Sequence, residues 1–244
     1  MYDELCKRER DDWWFVGRRK IILTFLKKYL KKKHDLKIVD IGCGAGGIID
    51  LLGYYGTVTG VDKNKHIVHY NKKNGRRVYC GNLDKLEFTD NAFDLVTLLE
   101  VLEHVNDDMN GLKEVHRILK PEGIFFLSVP AFPILWSSHD YASHHKRRYK
   151  KKELERKLSK SGFDILNVSF FDSFLFPIIV IYRFWANLIG KDKFKSNFIN
   201  YPPFINSFLK VIFCSEAFFL EKFNFPLGVS LLAIAKKKKN VKNY

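Results

Sequence analysis

Cysteine, methionine and proline are scarce in this chain. Its 244 residues include 4 Cys, 2 Met and 7 Pro. No two of the cysteines, which are Cys6, Cys43, Cys80 and Cys214, stand at the spacing of metal ligands. We therefore expect neither a zinc site nor a disulfide framework and predict no metal, which is typical of a protein in the reducing cytoplasm.

Long apolar segments are also missing. The longest apolar run, Phe174 to Ile181, is interrupted by Pro177 and followed by Arg183, so it is too short to span a bilayer. Met1 to Leu5 has no apolar core, and we expect no secretory signal there. These absences favour a cytoplasmic protein.

Acidic residues are outnumbered, with 27 Asp and Glu against 42 Lys and Arg and a formal charge of +15. Such an excess suggests an anionic partner: nucleic acid, an acidic membrane surface or a charged substrate. The aromatic content of 15% excludes a disordered chain. The length is enough for one large domain, or for one domain with an elaboration.

Short apolar strands alternate with helical stretches from residue 37 onward, which predicts an α/β fold with a parallel sheet. Residues 1–36 have apolar residues at helical spacing and predict a helical cap. The predicted strands are Lys37–Ile41, Val58–Val61, Arg77–Cys80, Phe93–Leu99, Ile124–Val129, Ile165–Phe171 and Val229–Ala235.

A connector of 56 residues, 172–227, separates the last two predicted strands and contains 12 of the 22 phenylalanines. A connector of this length usually has its own structure or a function. The spacing of Phe204, Phe208 and Ile212 predicts an amphipathic helix within it. We predict a helical insertion that forms an acceptor lid or a membrane-facing platform.

A glycine-rich loop, Gly42-Cys43-Gly44-Ala45-Gly46-Gly47, follows the first strand and opens a helix. Its glycines fit both GxGxxG, as in dinucleotide-binding proteins, and the tighter GxGxG. Asp62, at the end of the next strand, can accept both hydroxyls of a ribose. Asp40 would repel a pyrophosphate but attract a ligand with an ammonium group, which favours S-adenosylmethionine over a nicotinamide dinucleotide.

Five motifs occur in order between about residues 38 and 130: Asp40–Gly46, Gly60-Val61-Asp62, Phe93–Val96, Glu100–His104 and Ile118–Gly123. Together they resemble the motifs of class I S-adenosylmethionine-dependent methyltransferases. The resemblance implies a Rossmann-like, doubly wound sheet of seven strands with the last antiparallel. Residues 37–171 and 228–239 would form the cofactor-binding domain.

The resemblance also assigns roles to single residues. The loop residues Gly42, Cys43, Gly44 and Gly46 would wrap the methionine part of the cofactor above Asp40, and Asp62 would hold the ribose. Asn82 and Leu83 would meet the adenine, although many family members have Asp in place of Asn82. Glu100 and Leu102 would line the methionine end.

After the fifth strand, Trp136 to Tyr149 resembles a small-molecule methyltransferase subgroup with a His-Asp pair followed by His-x-Arg-Arg-Tyr. The expected base candidates for the methyl acceptor are His104, His139 and His145. Each histidine has a purely structural alternative. The predicted acceptor-binding residues are Trp136, Asp140, Arg147, Arg148 and Tyr149.

The basic residues concentrate at 144–160, with nine Lys and Arg, and in the tail 236–242, with five Lys. They suit an anionic membrane, whereas the alternative is an ordinary solvated lysine surface. Nucleic acid is not expected, because the aromatic residues cluster apart from most basic ones. A non-catalytic cofactor-binding module that docks on membranes, or an NAD-dependent oxidoreductase, are the competing interpretations of the chain.

Overall fold

The computed structural model describes residues 8–31, 33–189 and 201–239. Cys6, parts of the predicted cap 1–36 and insertion 172–227, and the last residues of the basic tail lie outside the described residues. The proposed division into cap, cofactor domain and insertion stays a prediction.

A single seven-stranded sheet forms the centre of the fold, in the order β3-β2-β1-β4-β5-β7-β6. Strands β1 to β5 are parallel, and β7 lies antiparallel between β5 and β6. This confirms the predicted doubly wound sheet with its last strand antiparallel. The strands are β1 Leu36–Ile41, β2 Gly56–Asp62, β3 Val78–Cys80, β4 Phe93–Leu99, β5 Leu119–Pro130, β6 Phe163–Phe171 and β7 Ser230–Lys237.

Helices cover both faces of the sheet, because β4 and β5 are apolar on both sides and must be buried on both. One face packs against α4 and α6, and the other against α1, α2 and α8. The helices are α1 Trp13–Leu30, α2 Gly47–Leu52, α3 Lys65–Lys73, α4 Asp108–Ile118, α5 Ser138–Ala142, α6 Lys151–Lys160, α7 Phe176–Ile189 and α8 Pro203–Leu220.

Polar side chains fix several element ends. Asn64 begins α3 by accepting from the backbone N–H of His66 at 2.9 Å. Asp94 anchors the start of β4, because its carboxylate accepts from the Lys37 N–H at 2.9 Å and pairs with Lys120. These contacts hold the strands in a register that aligns their carboxyl ends.

The contact between α1 and α8 joins the N-terminal helix to the insertion before the last strand. A side chain on Gly17 would begin 2.2 Å from the Phe213 ring, so only glycine allows this approach. Phe213 is fully buried and stacks on Phe171 of β6 with ring centroids 6.3 Å apart. The α8 helix therefore belongs to the core of one sheet face.

Helices α7 and α8 expose large apolar side chains. By length and composition α8 could cross a membrane, and 22% of it is buried in the protein. Among the described residues, α8 comes closer to the length and apolar composition of a membrane-spanning helix than the run Phe174 to Ile181 that stood out in the sequence. One such helix is weak evidence for a span, and its packing on α1 favours a surface helix.

We predict that Phe213→Ala lowers the free energy of unfolding by about 3–5 kcal/mol, because it leaves a cavity between α8, α1 and β6. Phe208→Ala, on the same helix but 65% exposed, is the control and should change stability little. Chemical denaturation of the full chain measures both, and equal effects would contradict the packing described here.

Candidate functional site

Acidic side chains gather where the strands end at one edge of the sheet. Asp40 and Asp62 are on β1 and β2, Glu100 follows β4, and Asp172 follows β6. Because β6 runs parallel to β5, its carboxyl end lies at the same edge as theirs. This edge is the crevice in which open α/β sheets bind ligands, and here it is lined by carboxyl groups.

The glycine loop turns back over the end of β2. Gly42 and Cys43 both donate their N–H groups to the Val61 carbonyl, at 2.7 and 3.1 Å. Gly42 has φ +73°, and a Cβ on it would begin 2.2 Å from Val101. Both the conformation and the close approach require glycine there.

Asp62 fixes the loop to the second strand. Its carboxylate accepts from the Gly44 N–H at 3.2 Å and from the Asn64 N–H at 2.9 Å. Each oxygen keeps further acceptor capacity, which a ribose diol can use. Burial raises the pKa of this carboxyl.

Asp40 lies under the loop and is 2% exposed. It accepts a hydrogen bond of 2.6 Å from the Thr97 hydroxyl. Burial raises its pKa to about 7, although Thr97 and the Arg18 guanidinium oppose the shift. A cationic ligand above Asp40 would favour its charged form. The neighbouring Cys43 thiol is held protonated, since burial also raises its pKa.

Two charged residues of the N-terminal segment reach this crevice. The Glu9 carboxylate accepts from the Ala45 N–H at 3.0 Å and from the Gly47 N–H at 3.4 Å. The Arg18 guanidinium lies 4.6 Å from the centroid of the Trp14 ring. The segment therefore covers the glycine loop. Glu9 was not singled out from the sequence, whereas Arg18 lies within Trp13–Arg19, whose resemblance to the opening of the same methyltransferase subgroup predicts a cover over the cofactor.

Unpartnered polar atoms in the crevice fit the charges of S-adenosylmethionine. Arg18 Nε and Glu100 Oε1 are buried and have no hydrogen-bond partner within the described part of the chain. A guanidinium suits the cofactor's carboxylate, and a carboxylate suits its ammonium group. With Asp40 and Asp62, the residues present fit this cofactor.

The other predicted cofactor residues occupy different environments. Asn82 is exposed and donates to Asp84 at 2.8 Å, so it is at the surface beside β3. Leu83 is 3% exposed and Leu102 is fully buried. The side chains of both leucines pack in the core beneath the crevice, and their predicted contact with the cofactor remains a prediction.

Asp140 organises the loop that follows β5. Its carboxylate accepts from the Ser137 N–H at 2.9 Å, from His145 Nδ1 at 2.9 Å and from Arg148 Nε at 2.7 Å. Burial pushes the pKa of Asp140 upward, but these partners outweigh it and hold the pKa well below its usual range. The carboxylate is fully buried and acts inside the loop.

Three other predicted acceptor residues also have partners within the protein. Arg148 donates to the Ala131 carbonyl at 3.0 Å and is 4% exposed. Arg147 donates to the Asn106 carbonyl at 2.7 Å and pairs with Asp108 at 3.1 Å. The Tyr149 hydroxyl donates to Asp108 at 2.9 Å from a fully buried ring. In this arrangement they support the loop.

The three predicted histidines lie together at the rim. The rings of His104 and His145 are 4.9 Å apart, and those of His139 and His145 are 5.9 Å apart, measured between centroids. His139 is exposed, and Trp136 packs edge-on against Tyr141 nearby. Burial and then the neighbouring His145 lower the pKa of His104 to about 4, so its imidazole is neutral at physiological pH.

Three charged residues of the insertion and its start were missed from the sequence. Arg183 of α7 donates to the Leu135 carbonyl at 2.8 Å and lies 4.0 Å from Asp140. Glu216 of α8 accepts from the Ser173 and Phe174 N–H groups at 2.7 and 2.8 Å. Burial raises the pKa of Asp172 to about 8. A single charge inside an apolar segment was the available signal for Arg183 and Glu216.

We predict that cofactor-free protein loses stability as the pH rises from 5 to 8. Folded Asp40 keeps its proton up to a pKa of about 7, whereas unfolded Asp loses it near pH 3.9. The folded state therefore binds more protons in this window, and the free energy of unfolding falls with pH. Asp172 and Glu216 act in the same direction, whereas His104 and His139, whose folded pKa values are about 4, oppose these acids below about pH 6.5.

Urea denaturation at a series of pH values across this range gives the free energy of unfolding as a function of pH. This free energy should fall less steeply with pH for Asp40→Asn than for the unsubstituted protein. Asp90→Asn, which alters a largely exposed carboxylate, is the control and should leave the slope unchanged. An Asp40→Asn slope equal to that of the unsubstituted protein would contradict the assignment.

Comparisons with known proteins find relatives over about half of the chain. The chain is 39% identical over 101 residues to an uncharacterized protein of Methanocaldococcus jannaschii, covering 41% of this chain and 44% of that protein. It is 30% identical over 131 residues to a ubiquinone biosynthesis O-methyltransferase of Coxiella burnetii, covering 48% and 56%. The chain thus spans about half the length of the curated relatives it matches.

Two solved structures show the same fold. An S-adenosylmethionine-dependent methyltransferase from Mesorhizobium loti matches with a TM-score of 0.59 and 19% identity, over 87% of this chain and 96% of that one. The (4+2)-cyclase SpnF matches with a TM-score of 0.58 and 17% identity, over 90% and 80%. At these identities the likeness shows the fold and not the reaction.

The family comparison covers the strands that build the crevice. Residues 39–127 match the model of a methyltransferase domain family. This range contains the glycine loop, Asp62, Glu100 and the histidine His104. The part of the chain that builds the crevice is therefore similar to a methyltransferase domain, and the seven-stranded sheet has the fold of the solved structures described above.

Proposed function

We propose that the protein transfers a methyl group from S-adenosylmethionine to a small-molecule acceptor. The observation that carries this proposal is the acidic crevice around the glycine loop, where Asp40, Asp62 and Glu100 meet Arg18. Its charges complement a zwitterionic sulfonium cofactor and would repel a pyrophosphate. The family match over residues 39–127 supports the same cofactor.

The acceptor would enter between the loop after β5 and α7. Trp136 and the histidines border this side, and Arg183 joins the loop to α7 through Leu135. The cofactor supplies the methyl group, and the protein must hold the acceptor atom in line with it and free of its proton. The exposed His139 is a base candidate for an acceptor hydroxyl.

We predict that Asp62→Ala weakens the affinity for S-adenosylhomocysteine about 10- to 100-fold, the value of a charge-assisted hydrogen bond. Asp62→Asn, which keeps an acceptor oxygen, should lie between Asp62→Ala and the unsubstituted protein. Asp90→Ala is the control far from the loop. Calorimetry measures each affinity, and an unchanged Asp62→Ala value would count against the ribose role.

Calorimetric affinities for NAD and for S-adenosylmethionine distinguish the competing functions. NAD binding in preference to S-adenosylmethionine would replace the proposal with an oxidoreductase. Cofactor binding without transfer of a labelled methyl group to lipid-linked or glycan acceptors in a cell extract would favour a non-catalytic module. Labelled product is the result expected for an enzyme.

We further propose that the acceptor is presented at an anionic membrane surface, such as a lipid-linked intermediate. Phe174, which immediately precedes α7, packs edge to face against Phe219 of α8 with ring centroids 5.5 Å apart, so the start of α7 lies next to α8. Lysines flank these helices, with Lys210 on α8 and Lys222 beyond its end. The exposed apolar residues are Ile178, Ile181, Tyr182, Phe184, Trp185, Phe204, Phe208, Val211, Phe218 and Phe223.

Apolar side chains flanked by cations are typical of surfaces that lie in the headgroup region of anionic bilayers. Binding to an anionic membrane would also give a role to part of the protein's formal charge of +15. The protein would then be cytoplasmic and peripheral at the inner leaflet. A lipid acceptor would reach the crevice without leaving the membrane.

We predict that the protein sediments with phosphatidylglycerol vesicles and much less with neutral phosphatidylcholine vesicles, and that added salt weakens the binding. Replacing Phe204, Phe208 and Val211 together by serine should abolish most of it. Tyr54→Ser removes an aromatic that is 75% exposed elsewhere and is the matched control. Equal binding of the triple variant and the control would exclude this surface.

A further inference from the structure

A buried carboxylate at the rim of the crevice has no partner. Both oxygens of Glu103 are buried without a hydrogen-bond partner among the described residues, and its side chain is fully buried. A buried carboxylate without donors is costly, so its surroundings should contain the group that stabilises it. The two nearest candidates are histidines.

His104 and His145 both turn a ring nitrogen toward this carboxylate. The Nε2 atom of each lies 3.9 Å from Glu103 Oε1, too far for a hydrogen bond. The three ligand atoms lie within 4.8 Å of one another. Tetrahedral zinc with ligands near 2.1 Å holds them about 3.4 Å apart, so shifts of well under 1 Å would close the site.

The surroundings support a cation at this point. His145 is oriented by its Nδ1 contact with Asp140 at 2.9 Å, the carboxylate–histidine arrangement found behind metal ligands. Glu100 lies close enough to Glu103 to act on its charge. The side chain of His104 is 28% exposed and leaves an entry path, whereas that of His145 is 7% exposed.

We propose that Glu103, His104 and His145 form a binding site for a divalent first-row transition metal, contrary to the expectation of no metal. Two imidazoles and one carboxylate suit such ions better than they suit magnesium or calcium. The three residues do not form a local sequence motif, because His145 follows His104 by 41 residues. Three protein ligands leave a coordination position open, as in catalytic sites.

The role of the metal rests on the proposed function, although its binding does not. An open position at the acceptor side would bind an acceptor oxygen and lower the pKa of its hydroxyl. His104 and His145 would then be ligands, and only His139 would remain as a base candidate. The acceptor class would be an oxygen compound, such as a phenol or a sugar hydroxyl.

Metal binding can be measured on the full chain without any activity. We expect one equivalent of Co²⁺ to bind with visible absorption bands of a four- or five-coordinate ion, and Zn²⁺ to displace it. Glu103→Gln and His104→Ala should each weaken Zn²⁺ binding at least 100-fold, since even outer-sphere partners of metal sites contribute about 10- to 100-fold. His139→Ala is the control, a neighbouring histidine outside the cluster, and should bind as the unsubstituted protein does.

Affinity for S-adenosylhomocysteine shows whether each variant is folded, and the partly exposed His104 keeps the test valid if Glu103→Gln is unstable. Absence of Co²⁺ bands in the unsubstituted protein, or equal Zn²⁺ affinity in His104→Ala, would overturn the site. Metal binding without methyl transfer would uphold the site and refute the proposed function. Methyl transfer without metal binding would support the proposed function and refute the metal site.

Discussion

The buried carboxylate of Asp140 is the contact on which the second half of the site depends. It is fully buried and stays ionised only because an N–H group, an imidazole and a guanidinium all donate to it. Removing one partner would leave the others facing an unpaired charge, at a cost of about 3–5 kcal/mol. The loop therefore has one well-defined arrangement, and this arrangement sets the direction of the His145 ring.

Charge is divided sharply within the molecule. Acids occupy the crevice, where Asp40, Glu103 and Asp172 lie in surroundings that disfavour their charged forms. Bases such as those of α6 are mostly at the surface. Burial of like-charged acids destabilises the empty protein, and cationic ligands relieve that cost. The crevice and the exterior thus select ligands of opposite charge.

The sheet could be predicted from the sequence because its strands are continuous apolar runs punctuated by glycines and acids. Asp107 and the Lys120-Pro121 pair mark the ends of α4 in the sequence, and the helix runs from Asp108 to Ile118. The partners of Arg147 and Tyr149 could not be predicted. Their side chains face inward through a loop whose course depends on contacts with Asp108 and Asn106, some 40 residues earlier. Pattern and spacing carry no information on such distant pairings.

The contact between Gly17 and Phe213 also sets the order in which the chain can assemble. It joins residues 196 positions apart, so α1 cannot complete the burial of its apolar face until α8 has been made. Contacts of this separation slow folding, and during synthesis the N-terminal helix must wait while the strands form behind it. The α1 helix, which is synthesised before every strand of the sheet, is thereby among the last elements to reach its native environment.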